Sequence, residues 1–206
     1  MFELVKPFFP LPLAQDFTQE GVYLLGIPYD GTTSFRPGTR FGPDALREAS
    51  YGLESYSPYL DKDLEDAAYF DIGNIPFQAS RHDLLRKSFD EATKKINLKK
   101  SKLLTVGGEH SISYSPMKIY LEQYPDLVIL HLDAHTDLRE SYLDEPYSHA
   151  CVIRRVTEHM SEKQQLIQYG IRSGQKSEFE WMKEHKTLCT SLEELLSKLS
   201  KLNSPI

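Results

Sequence analysis

"VILHLDAHTDLRE", Val128 to Glu140, joins an apolar run to four side chains that bind metals or titrate: His131, Asp133, His135 and Asp137. They occupy every second position. In an extended segment alternate residues face the same side, so Asp133, His135 and Asp137 converge provided the chain stays extended past the strand end. Carboxylate and imidazole without thiolate suit a borderline-hard divalent metal, Mn²⁺ first, with Zn²⁺ and Fe²⁺ as alternatives. The competing reading is an acidic, hydrogen-bonded loop that caps a helix. His131 shares the parity but lies deeper in the strand, where it reads as a core histidine rather than a ligand.

Outward from this stretch the chain alternates between two patterns. The runs VYLLGI (22–27), AAYFDI (67–72), KLLTV (102–106), LVILHLD (127–133) and QLIQYGI (165–171) are short and β-rich. Each is long enough for a strand buried on both faces. Between them, GPDALREAS (42–50) places Pro43 in a first helical turn. HDLLRKSFDEATKKI (82–96) sets Leu85, Phe89, Ala92 and Ile96 on one helical stripe. SPMKIYLEQY (115–124) offers Ser115 as a cap and Pro116 at the first position, and SLEELLSKLSKL (191–202) opens with a Ser191/Glu194 capping box. Strand and helix repeated in this way mean an α/β fold around a parallel sheet. Reactive groups in such folds gather past the carboxyl ends of the strands, which is where DAHTD falls.

Three further stretches lie where that rim is expected. In KLLTVGGEHSIS, Gly107-Gly108 permits a sharp turn or a close approach, and His110 follows at the strand's end. His110, Asp133, His135 and Asp137 together could serve two metals that share one carboxylate. In YSHACVIRR, His149 is a candidate proton shuttle, against the alternative of a surface-loop histidine. Cys151 reads as a small buried residue rather than a nucleophile. GIPYDGTTSFRPGTRFGPDALREAS (26–50) is dense in Gly, Pro, Thr and Arg and reads as an ordered loop of tight turns. Within it Asp30 reads as a turn former, and Arg36 and Arg40 as partners for acidic groups of a neighbouring subunit or of the metal ligands.

Composition narrows the classes. With 206 residues and 40% hydrophobic content, the chain is one or at most two domains with a sizeable core. A net charge of −6 argues against a general nucleic-acid binder. Two cysteines make no disulfide framework and suit a reducing cytoplasm. No signal-peptide pattern is present at the N-terminus, and no apolar run approaches a membrane span. Residues 1–20 are Pro-rich and read as an irregular arm.

GGEHS, DAHTD and SHACVIRR, in that order and at that approximate spacing, resemble the ureohydrolase (arginase/agmatinase) family from about residue 21 onward. The 26–50 stretch looks like the agmatinase branch. Arginases place an asparagine two residues beyond the last Asp of DAHTD, where it helps hold the amino-acid end of the substrate. This chain has Arg139 there, which favours a substrate lacking the α-carboxylate, such as agmatine. The resemblance implies a three-layer α/β/α sandwich around a parallel sheet, here a single incomplete domain over residues 21–206. It also implies two Mn²⁺ ions, with His110 and Asp137 as ligands of one, His135 of the other, and Asp133 bridging both. His149 matches a histidine with a proton-shuttle role, and the products implied are urea and an amine, putrescine from agmatine. Homo-oligomers are usual in the family.

The family pattern also has an Asp-x-Asp on a later strand and a glutamate beyond it, and neither occurs in these 206 residues. Pro205-Ile206 looks like the lead-in to that strand. Weak binuclear occupancy and little or no hydrolase activity are therefore expected of this polypeptide alone. The alternatives are a non-catalytic relative or fragment that keeps the fold, and a metal-dependent amidohydrolase with another guanidino or amide substrate.

Overall fold

The computed structural model describes residues 6–14, 16–78 and 81–206. Residues 1–5 and 15 of the N-terminal arm lie outside them. The chain divides into two compact units, Met1–Ile112 and Ser113–Ile206. The architecture is α/β throughout, with a three-stranded parallel sheet in each unit.

In the first unit the elements are β1 (Val22–Ile27), α1 (Gly42–Ser50), β2 (Tyr56–Ser57), β3 (Lys62–Asp63), β4 (Tyr69–Asn74), α2 (His82–Thr93) and β5 (Lys102–Gly107). Its sheet runs β4-β1-β5, and β2 and β3 form a small antiparallel ribbon. β1 is central, and Tyr23, Leu24, Leu25 and Ile27 are all buried, as a strand covered on both faces requires. α2 buries the stripe expected of it, Leu85, Phe89 and Ala92, with Ile96 just beyond. β5 departs from the expectation of two buried faces: Leu104 is 47% exposed. Part of the Pro-rich arm is ordered, since Leu13 bridges to Asp71 and the Asp71 N–H donates to the Pro12 carbonyl at 2.9 Å.

Two features explain how the end of β5 is shaped. The Gly108 and Glu109 amides donate to the Ile27 and Tyr29 carbonyls at 3.2 and 2.8 Å, so the chain hugs the end of β1. A Cβ at Gly108 would lie 1.8 Å from the Tyr29 carbonyl oxygen. Gly108→Ala must therefore push two backbones apart. Overpacking of this kind costs about 1–3 kcal/mol, and urea unfolding of the variant should show a loss at the upper end of that range. A wild-type midpoint would refute the close approach. Glu109 then ties the loop after β1 to this strand end. It accepts from the Thr32 hydroxyl and the Ser111 hydroxyl and amide, each at 2.7 Å.

Of the 26–50 stretch, residues 28–38 fold as an irregular loop with turns, and α1 follows from Gly42. Asp30 accepts from the Gly38 amide at 2.7 Å and pairs with Arg40 at 3.0 Å, so the turn-forming aspartate finds its cation within its own loop.

The second unit contains α3 (Tyr114–Gln123), β6 (Val128–Leu132), α4 (Val152–Thr157), β7 (Gln165–Tyr169), α5 (Lys176–His185), β8 (Leu188–Cys189) and α6 (Leu192–Leu199). Its sheet runs β6-β7-β8. Leu127, Ile129, Leu138, Val152, Ile153, Val156, Leu166 and Met182 form a core on one side, and Val128, Ile167, Cys189 and Leu195 a smaller one. α3 starts two residues earlier than its sequence signals indicate. Ser113 is the cap position, and Pro116 falls later in the first turn, where no helical partner for its missing N–H exists anyway. The α6 capping box is half formed. Ser191 Oγ accepts from the Glu194 amide at 3.1 Å, while the Glu194 carboxylate takes the Thr190 amide at 2.8 Å.

β6 has a second neighbour besides β7. The Leu127 carbonyl accepts from Gln165, and the N–H of the same peptide, on Val128, donates to the Pro205 carbonyl at 2.8 Å. A trans peptide points these two groups in opposite directions, so Pro205 lies along the edge of β6 away from β7. Leu132, at the far end of this outer strand, is 63% exposed.

Candidate metal centre

β6 delivers its last residues to a loop that is held extended by one partner and then bent by another. The Asp133 amide donates to the Tyr169 carbonyl at 3.2 Å, and His135 forms a parallel bridge with Ser173. The strand thus continues past its formal end alongside the segment after β7. Gly170, with φ +90°, makes the room, since even its bare backbone places a notional Cβ 3.0 Å from the Asp133 carbonyl oxygen. At Asp137 the alternation stops, because its φ of +53° is left-handed. A non-glycine residue held there is uncommon and is kept by its surroundings.

Glu178 of α5 is that surrounding. Its Oε1 accepts from the Thr136 hydroxyl at 2.5 Å and the Leu138 amide at 3.1 Å, the residues on either side of Asp137. Its Oε2 accepts from the Gln175 amide at 2.6 Å at the start of the same helix. From the other side the Arg154 amide of α4 donates to the Asp137 carbonyl at 3.1 Å. Glu178→Ala strips the Leu138 amide of its buried acceptor, at a cost of about 1–3 kcal/mol. It also frees the backbone that aims Asp137, so lowered thermal stability together with weaker divalent-metal uptake is expected. Unchanged values of both would contradict the clamp.

Within the second unit this folding brings His131, Asp133 and Asp137 together, their ligand atoms all within 4.8 Å of one another. His131 Nε2 stands 3.5 Å from Asp133 Oδ2 and 3.9 Å from Asp137 Oδ2. His135 lies on the other side of Asp133, with Nδ1 3.5 Å from Oδ1 and its amide donating to the same oxygen at 2.8 Å. Asp133 therefore presents one carboxylate oxygen to each side. The His135 side chain is 66% exposed, whereas Asp137 and His131 are buried. His110 belongs to the first unit, where it opens the turn His110–Ser113 just beyond β5.

His149 opens the turn His149–Cys151 ahead of α4. Its neighbour Ala150 accepts from the Arg139 amide at 3.1 Å, which ties this turn to the residue two beyond Asp137. The His149 ring meets the Tyr142 ring edge-on at 5.4 Å, and the Arg139 guanidinium lies over the same tyrosine at 4.9 Å. Burial pushes the Cys151 thiol above its ordinary value, which suits a structural residue and not a nucleophile.

Two residues that hold this loop escape a motif reading. Glu178 sits in a helix, KSEFEWMKEH, with too few apolar residues to announce itself. Gln168 is 0% exposed at the centre of β7. A glutamine inside the apolar run QLIQYGI was the available signal, because a buried amide needs partners.

The donor set, carboxylates with imidazoles, fits a borderline-hard divalent cation. A model of the arginase family matches residues 20–201. The agmatinase of Bacillus cereus is 46% identical over 168 residues, 82% of this chain and 58% of its own length. That of Bacillus subtilis is 44% identical over 191 residues, 91% of this chain and 65% of its own. The agmatine ureohydrolase structure of Thermoplasma volcanium matches with a TM-score of 0.81 at 25% identity, covering 98% of this chain and 69% of that one. The chain thus spans 58–65% of the length of the two curated relatives.

Proposed function

The chain belongs to the arginase family, and from that premise we propose that the cluster at the end of β6 serves an agmatinase-like ureohydrolase. The reaction is hydrolysis of a guanidino compound, agmatine first, to urea and an amine, putrescine in that case. The single observation that carries this reading is the pose of Asp133, one carboxylate oxygen toward His135 and the other toward His131, with Asp137 in the same cluster. A carboxylate so placed is suited to bridge two cations.

His110, Asp133, His135 and Asp137 are the proposed Mn²⁺ ligands. Bound metal would supply Lewis acidity that brings the pKa of water down toward neutrality. The chain's own groups do the rest. Glu178 and the Arg154 amide hold the Asp137 turn in its left-handed form, so the ligand carboxylates need not reorganise on loading. The His149 imidazole gives a proton to the departing amine nitrogen, which leaves poorly as an anion. Arg139, folded over Tyr142, replaces the asparagine that arginases have at this point of the motif, which favours a substrate without an α-carboxylate. Residues 21–206 are proposed as part of one arginase-like domain, active in the cytoplasm as a homo-oligomer. Among the described residues no helix is long and apolar enough to cross a membrane.

These 206 residues are proposed to bind Mn²⁺ weakly and to turn over little or nothing unaided. The test is a chimera joining residues 1–201 to the remaining C-terminal portion of the Bacillus cereus agmatinase. With Mn²⁺ it should release urea from agmatine and not from arginine. A chimera that takes up Mn²⁺ yet releases no urea from any guanidino compound would favour a non-catalytic relative.

A further inference from the structure

His131 stands among the carboxylates of the cluster as though it were a fourth ligand. Its other ring nitrogen excludes that role. Nδ1 lies 3.1 Å from Gln168 Nε2, and the same amide nitrogen lies 3.1 Å from the Thr136 carbonyl oxygen. A carbonyl oxygen only accepts, so the group facing Thr136 must be the NH₂ end of the amide. The Gln168 oxygen is occupied in turn, accepting from the Thr187 hydroxyl at 2.9 Å. With the amide oriented by Thr136 and Thr187, Gln168 presents an N–H to His131. Nδ1 must then offer its lone pair, because a proton there would face another proton.

We propose that His131 is a positioning residue rather than a metal ligand: a neutral imidazole locked by Gln168 with its proton on Nε2, the nitrogen that faces Asp133 and Asp137. To bind metal through Nε2 the ring would need that lone pair free and the proton on Nδ1, which the Gln168 amide forbids. At 3.5 and 3.9 Å the Nε2–H acts mainly as a dipole between two like charges. It offsets part of their repulsion and keeps the two carboxylates turned to one place. The lock is rigid because every member sits in the sheet or its loop, and Gln168 and Thr187 are fully or nearly fully buried. Tautomer control from a ring's far nitrogen is a recurring device around metals. In this chain the controlled ring serves the ligands and not the metal.

The tautomer claim stands without metal; only its consequence for affinity rests on the function proposed above. Two-bond ¹H–¹⁵N correlation spectra of the metal-free 206-residue chain show which nitrogen of His131 carries the proton. Nε2–H with a bare Nδ1 is expected, and a proton on Nδ1 overturns the proposal. Calorimetric Mn²⁺ titration of the chimera supplies the second reading. His131→Gln, which retains an N–H donor, should bind within about tenfold of the parent, whereas His131→Leu should weaken binding about 10–100-fold. A loss well beyond a hundredfold in both variants would mark His131 as a ligand. If the parent chimera takes up no Mn²⁺, the metal reading fails and the spectrum still decides the tautomer.

Discussion

Arg47→Leu is expected to cost about 3–5 kcal/mol, the usual penalty for stranding one half of a buried ion pair. Arg47 is 2% exposed and Asp71 0%. The guanidinium Nε and Nη2 donate to the two Asp71 oxygens at 2.8 and 2.9 Å, a bidentate fork. Nη1 donates to Asn74 Oδ1 at 2.6 Å, and the Asn74 amide passes the chain of bonds on to Asp44 at 2.9 Å. The fork pins α1 to β4, the edge strand along which the N-terminal segment also runs. Without it, Asp71 keeps, among the described residues, the Phe8 and Gly73 amides at 2.8 Å each and no counter-charge. The double variant Arg47→Met/Asp71→Leu should recover most of the loss, because removing both charges removes the stranded one. Urea unfolding measures all three proteins. A single variant within about 1 kcal/mol of the parent, the range of an exposed ion pair, would mean that this pair holds little.

Asp133→Asn has the largest expected effect on metal binding. The change is isosteric and leaves the Asp133 amide bonded to Tyr169, so the loop keeps its path. What it removes is the charge offered to both sides of the cluster. In the chimera described above, Mn²⁺ affinity should fall by more than the roughly 10–100-fold typical of residues that only support ligands. Urea release from agmatine should vanish with it. A thermal midpoint close to the parent's separates lost ligation from lost folding. Parent-like Mn²⁺ affinity in a folded Asp133→Asn protein would remove Asp133 from the site and the bridging role with it.

Some elements were legible because their signals are local. VYLLGI and GPDALREAS match β1 and α1 residue for residue. One is an apolar run that only a covered strand can use, and the other is opened by Gly-Pro. The turn chemistry of Asp30 and the close approach at Gly107-Gly108 were likewise readable. α5 and the two-residue β8 were not. α5 is polar over most of its length, and its key residue Glu178 is explained only by a loop 40 residues earlier.

At the candidate metal centre, order and spacing marked His110, Asp133, His135, Asp137 and His149 as the residues of interest. Period-two alternation puts Asp133, His135 and Asp137 on one side. The structure groups Asp133 and Asp137 with His131 and leaves His135, more exposed, on the other side of Asp133. At Asp137 one backbone angle departs from the alternation: its φ is left-handed, and Glu178 and Arg154 hold it there. The sequence by itself determined the α/β class, the strand that leads into the candidate metal-binding residues and the family to which the chain belongs. Only the tertiary structure decided which way each carboxylate turns and which partner His131 meets. Those depend on hydrogen-bond partners from other strands and helices, and no periodicity within one segment encodes a partner 37 residues away.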